Sequence, residues 1–186
     1  MTRWAPLKAD VLDALAAEIL KQYSKGRVVI GIDAQRPAVA EAFARDLASA
    51  IGRTSHPVFS ASLSSFQLPR ESDERYDYSL LQRVLLDPFR LSVGTGFVLA
   101  GFDADRNLPI EPRWSTGPKD AVLIIAGEHL HGAELRGQWN YSIWLDDGET
   151  DPKSPYVKKA KPATTATAIV DVADPEHPRR VFADSC

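Results

Sequence analysis

The chain has 186 residues, 44% of them hydrophobic and 25% charged. That composition is ordinary for a folded globular protein and excludes disorder along its whole length. Its 22 basic and 25 acidic side chains leave a net charge of −3, so the basic excess that a general nucleic-acid or anionic-membrane binder needs is missing.

The single cysteine, Cys186, is the last residue, which excludes an internal disulfide framework and a cysteine-rich zinc site. Nothing at a free terminus would fix its pKa for catalysis. The opening Met1-Thr2-Arg3-Trp4 leads into a charged segment with no apolar signal-type core, and no stretch approaches the ~18 apolar residues of a membrane span. The expectation is a cytoplasmic protein without nucleic-acid or membrane partners.

In chain order, Val11, Leu12, Leu15, Ala16, Ile19 and Leu20 fall at helical spacing within residues 8–23, and Lys25-Gly26 stops that helix. Arg27 to Asp33 is a β-branched apolar run without alternation, the habit of a strand covered on both faces. Pro37 suits the first turn of a helix running to Ile51, with Val39, Ala42, Phe43, Leu47 and Ala50 as its stripe. Pro57 to Leu63 reads as a second strand and Gln67 to Arg75 as a polar loop.

Asp77 is placed to cap a helix carrying Leu80, Leu81, Val84 and Leu85, ended by Asp87-Pro88. Phe97 to Pro118 reads as irregular or hairpin structure. Ala121 to Ala126 is the clearest buried strand, followed by a short helix at Ala133 to Gly137 and a strand at Tyr141 to Leu145. Residues 146–161 are charged and Pro-containing, a linker, and Ala168 to Val172 is the last strand. Alternating strands and helices predict one α/β domain over residues 1–186. Its three α/β/α layers enclose a mainly parallel sheet, with ligands expected beyond the carboxyl ends of the strands.

Several anchors appear at fitting spacing. They are Arg27-Val-Val-Ile-Gly-Ile-Asp33, Phe66 with Pro69-Arg70, Asp77-Tyr78 with Leu85-Leu86-Asp87-Pro88, Leu130-His131 with Glu134-Leu135-Arg136-Gly137, and Val170-Asp171 with Asp174-Pro175. Together they resemble the uridine kinase family of P-loop nucleoside kinases over about residues 27–174. The resemblance implies a P-loop kinase-like fold. It also implies a phosphate loop of the form Gly-x-x-x-x-Gly-Lys-Ser/Thr, whose backbone amides wrap a phosphate.

That octet falls on Ala34, Gln35, Arg36, Pro37, Ala38, Val39, Ala40 and Glu41. Val39 stands where backbone must approach phosphate, Pro37 has no N–H, Ala40 takes the lysine position and Glu41 the magnesium-binding hydroxyl position. Alanine for lysine and glutamate for Ser/Thr move the local charge two units toward negative. At ~4 Å each unit interaction is worth about 1 kcal/mol in water and roughly 4 at an effective dielectric near 20.

The resemblance further puts the general base on Ser64 and the magnesium-holding acid on Ala126. The arginine-bearing lid of the family is expected to be deleted, with a shortened linker at residues 146–161 in its place. These departures predict a degenerate kinase-like protein without cofactor. It would bind a small molecule or a protein partner, with self-association as one form. The candidate pocket is Asp33, Arg36, Ser64, Phe66, Arg70, Glu128 and His131.

Two enzymatic alternatives stand beside that reading. One is a nucleoside or small-molecule kinase with an atypical phosphate site on Arg36 and Arg70. The other is a metal-dependent hydrolase using Glu128, His129 and His131, with Asp33 as a fourth ligand. The plainer expectations are that His131 is structural and that Glu128 and His129 are solvated. On that view Asp33 is a carboxylate favoured by a helix N-terminus, and Ser62 to Ser65 are hydroxyls at a strand exit. Trp139 and Trp144 are expected in the core, Trp4 over an edge or partner, and Lys158, Lys159 and Lys161 on a solvated linker face.

Overall fold

The structure is a computed structural model and describes residues 7–91 and 94–182. Trp4 and Cys186 lie outside them.

Helix α1 (Lys8–Gln22) buries Val11, Leu12, Leu15, Ala16 and Ile19, the expected stripe. It is followed by β1 (Val28–Ala34), with all seven residues buried, and by α2 (Pro37–Gly52), with Pro37 in its first turn. Strand β2 (Val58–Ser62) ends in a 3-10 turn at Leu63–Phe66. Asp77 caps α3 (Tyr78–Leu81) by accepting from the Leu80 amide at 2.8 Å.

The expected stop at Asp87-Pro88 does not occur. The chain passes through a π turn (Gln82–Leu86) into α4 (Asp87–Leu91). In that wider turn the Asp87 N–H bonds to the Gln82 carbonyl, five residues back. The widening opens the backbone just ahead of Pro88, which has no N–H and would crowd a regular α turn.

The Pro-rich excursion forms two small antiparallel ladders. Strand β3 (Phe97–Val98) pairs with β6 (Trp114–Ser115), and β4 (Phe102–Asp103) pairs with β5 (Leu108–Pro109). Strands β7 (Val122–Gly127) and β8 (Tyr141–Asp146) follow as expected. No helix forms at Ala133 to Gly137. The segment closes short turns instead, Leu135 N–H to Gly132 at 3.3 Å and Gln138 N–H to Leu135 at 3.1 Å. Between Gly132 and Gly137, which sits at φ +79°, too few residues remain to repay helix nucleation.

Residues 146–161 are more than a linker, since they contain α5 (Pro155–Ala160). Helix α6 (Pro162–Thr165), β9 (Ala168–Asp171) and a further edge strand, β10 (Arg179–Val181), complete the described chain.

The sheet order is β10-β9-β8-β1-β7-β2, parallel throughout except for β10. Alternate residues of the central strands feed two cores. Val28, Ile30, Ile32, Val122, Ile124 and Ala126 pack under α1 and α2. Val29, Leu123 and Ile125 face Phe66, Leu81, Leu85, Phe89 and Phe97 on the opposite side. This is the expected α/β/α sandwich around a mainly parallel sheet, and it explains why the central strands are apolar without alternation.

The gap in that alternation is Gly31. Trp139, whose indole N–H donates to the Leu130 carbonyl at 2.8 Å, lays its ring on the strand there. A Cβ on Gly31 would sit 2.6 Å from that ring. Gly31→Ala is therefore expected to cost ~1–3 kcal/mol through overpacking, read from the midpoint of a urea unfolding curve followed by tryptophan fluorescence.

Candidate functional site

The carboxyl ends of β1, β7 and β8 lie side by side, with Asp33 in register with Gly127 on one flank and Trp144 on the other. Asp33 has no solvent exposure, and an unanswered buried carboxyl group is expensive. Three donors converge on its Oδ2 atom. They are the His131 ring Nδ1 at 2.7 Å, the His131 backbone N–H at 3.2 Å and the Tyr156 hydroxyl. The Tyr156 oxygen also accepts from the His131 N–H at 3.1 Å. Among the described residues the other ring nitrogen of His131, Nε2, has no protein partner. The hydrogen-bond partners of Asp33 are thus His131 and Tyr156.

The segment aligned with a phosphate loop has a different shape. Ala34 still belongs to β1, paired with Leu145, and α2 begins at Pro37. Gln35 and Arg36 alone connect them. Gln35 accepts from the Asp151 N–H at 2.6 Å. Arg36 pairs with Asp147 at 2.6 Å and Glu149 at 2.8 Å, and the Asp147 hydrogen bond raises its pKa further. Of the helical positions, Ala40 is buried in the α1–α2 core, while Ala38 and Val39 line a shallow surface cleft with Arg36 and Asp147.

Glu41 reaches across to the β2 exit. Its carboxylate accepts from Ser62 Oγ at 2.5 Å and lies 3.5 Å from Ser64 Oγ, and the two hydroxyls are 2.6 Å apart. Neither is bonded to a histidine, so the cluster lacks a base of the kind that activates a serine.

The remaining candidates separate. Phe66 is wholly inside the lower core. Arg70 turns to the β4–β5 hairpin, with its backbone N–H on Asn107 at 3.0 Å and its guanidinium on the Ala104 carbonyl at 3.1 Å. Glu128 is buried rather than solvated. It accepts from the Tyr76 hydroxyl at 2.8 Å and pairs with Arg75. His129 packs against Tyr156 with ring centroids 4.4 Å apart and planes tilted by 44°. Glu128, His129, His131 and Asp33 therefore do not converge. Among the described residues no group of three His, Cys, Asp or Glu side chains is placed to hold a metal ion.

Beside this network lies a cavity of about 470 Å³ whose walls include Tyr76, Tyr78, His129 and Tyr156. Burial, reinforced by Glu134, Glu128 and Glu74, pushes the Tyr78 phenol up to about 12. Burial and the Asp33 contact drive Tyr156 higher still. Of the cavity-wall residues named here, His129 alone was anticipated as a site candidate. Tyr76 follows the polar loop, Tyr78 starts a helix and Tyr156 lies in the supposed linker. No spacing rule brings those segments together.

No family model matches the chain, and no curated protein matches it. Solved structures do. A possible uridine kinase from Bacillus stearothermophilus superposes with a TM-score of 0.70 at 17% identity, over 86% of this chain and 97% of that one. A putative fructose transport system kinase from Silicibacter sp. TM1040 superposes with a TM-score of 0.59 at 18% identity, over 73% of this chain and 74% of that one. The chain thus has the fold of P-loop kinases.

Two outcomes follow. Tyr156→Phe removes one donor from a buried carboxyl group and should lower stability by ~1–3 kcal/mol, measured by urea unfolding at neutral pH. Alkaline titration should also destabilise the protein. Tyr78 and Tyr141 are both raised to about 12, and an unfolded tyrosine ionises near 10. The unfolded chain therefore loses these protons first, and their stabilising effect, full below pH ~10, is lost as pH rises toward 12. A unfolding midpoint that stays constant across that window would contradict the assignment.

Proposed function

We propose that this chain is a small-molecule-binding protein on a kinase-like fold, and that it does not transfer phosphoryl groups from ATP–Mg. The observation that carries the reading is the two-residue connection from Ala34 to Pro37. Phosphoryl transfer is mostly positioning and charge stabilisation, and a phosphate cradle needs a run of free amides and a cation. Here the connection is too short to wrap a phosphate and Pro37 offers no N–H. The cation within the connection, Arg36, already faces two carboxylates.

Ala126, which offers no ligand to magnesium, and Ser64, whose hydroxyl lies 3.5 Å from the Glu41 carboxylate, support the same reading. The cavity beside Tyr156 is the place for a ligand, at the strand ends where α/β folds bind them. The competing reading, a kinase with an atypical phosphate site on Arg36 and Arg70, would require both guanidinium groups to abandon their present partners.

A thermal-shift series separates the two. A ligand in excess stabilises by RT ln(1 + [L]/Kd), about 2.7 kcal/mol at a hundred times Kd. Millimolar ATP–Mg is expected to leave the melting temperature unchanged, while small aromatic or nucleoside-like compounds raise it. A dose-dependent rise with ATP–Mg, accompanied by a phosphorylated product from uridine or a sugar, would overturn the proposal.

A further inference from the structure

The cavity at the strand ends has an unusual charge inventory. Five charged side chains line it: Glu74, Arg75, Glu134, Arg136 and Lys159. Arg75 is engaged by Glu128 and lies over the Tyr76 ring. The other four make no ion pair or side-chain hydrogen bond among the described residues. Two are cations, Arg136 in the turns after β7 and Lys159 on α5. Two are anions, Glu74 in the loop before α3 and Glu134 beside Arg136. Unpaired charges of both signs thus face one space from three separate segments.

The walls between them are aromatic. Tyr76 and Tyr78 lie with centroids 5.9 Å apart, and His129 packs against Tyr156 with the two rings tilted by 44°. His129 holds that position with φ at 63°, in the left-handed region, a conformation that costs free energy in a residue other than glycine. Behind it, Tyr156 is anchored by the buried Asp33 and the His131 N–H. The tilted pair is therefore held in place before any ligand arrives.

We propose that this cavity binds a zwitterionic aromatic molecule of the amino-acid class. Its carboxylate is taken by Arg136 and Lys159, its ammonium by Glu134 and Glu74, and its ring by the His129–Tyr156 face. A polyphosphate would meet two carboxylates, and a purely cationic amine would meet two cations. All four charges are exposed, so an uncharged ring would leave them to water and gain nothing from them. One ligand satisfies both pairs, and charge-assisted hydrogen bonds are the strong ones. The volume of about 470 Å³ falls within the usual range for small-molecule sites, roughly 300–1,000 Å³. This inference rests on the reading of the cavity as a ligand site.

The test is calorimetric titration of the intact protein with L-phenylalanine, 3-phenylpropionate, phenethylamine and benzyl alcohol. L-Phenylalanine is expected to bind at least tenfold tighter than any of the other three. Arg136 is exposed, and Arg136→Gln should weaken L-phenylalanine and 3-phenylpropionate without affecting phenethylamine. Glu134, also exposed, gives the converse: Glu134→Gln should weaken L-phenylalanine and phenethylamine alone. Equal binding of benzyl alcohol would overturn the zwitterion assignment while keeping the cavity as a ligand site. So would the absence of binding by all four probes when uridine still raises the melting temperature. Absence of binding by all four and by uridine overturns both readings.

Discussion

A carboxyl group with no access to water stands at the end of the central strand, and the upper face of this molecule is organised around it. Asp33 cannot be solvated, so the chain brings donors to it. His131 arrives from the β7–β8 connection and Tyr156 from the segment after β8. That requirement pins two loops to one point. It also decides what α5 does, because a six-residue helix has little stability of its own and is held by its contacts.

The same constraint sets the electrostatics of the strand exits. A phosphate-binding loop surrounds the end of its strand with amide N–H groups and a lysine. Here the corresponding ground holds a buried carboxyl group, a two-residue connection and an arginine shared by Asp147 and Glu149. At an effective dielectric near 20, opposite unit charges at ~4 Å attract by about 4 kcal/mol, and like charges repel as strongly. On the function proposed above, this arrangement disfavours polyanions. What it presents instead is a cavity with tyrosine walls and charges of both signs. A shared fold does not carry a shared chemistry, and the structural likeness to two kinases fixes the scaffold alone.

Much of that scaffold is legible from residue order. The stripe from Val11 to Ile19, the bare apolar runs of β1 and β7 and the Asp77 cap each act locally, so spacing alone reveals them. The misreadings have local causes too. Pro88 looks like a stop, and a π turn absorbs it. Ala133 to Gly137 has helical composition, but its flanking glycines leave turns. Glu128 looks like a solvated loop residue, yet Tyr76 and Arg75 enclose it. Phe66, placed by resemblance at a site, is spent on the core.

The linear chain by itself determined the layers, because hydrophobic periodicity and strand–helix alternation are properties of neighbours in sequence. It also determined that residues 34–41 carry no lysine and no glycine. Tertiary structure alone decided which side chains meet. Asp33 and Tyr156 are 123 positions apart, and Tyr76 and Glu128 are 52 apart. Such pairs are selected by the register of parallel strands and the path of the loops between them. The identities of the paired residues do not encode that path, so the cavity, its tyrosines and its unpaired charges become visible only once the sheet is assembled.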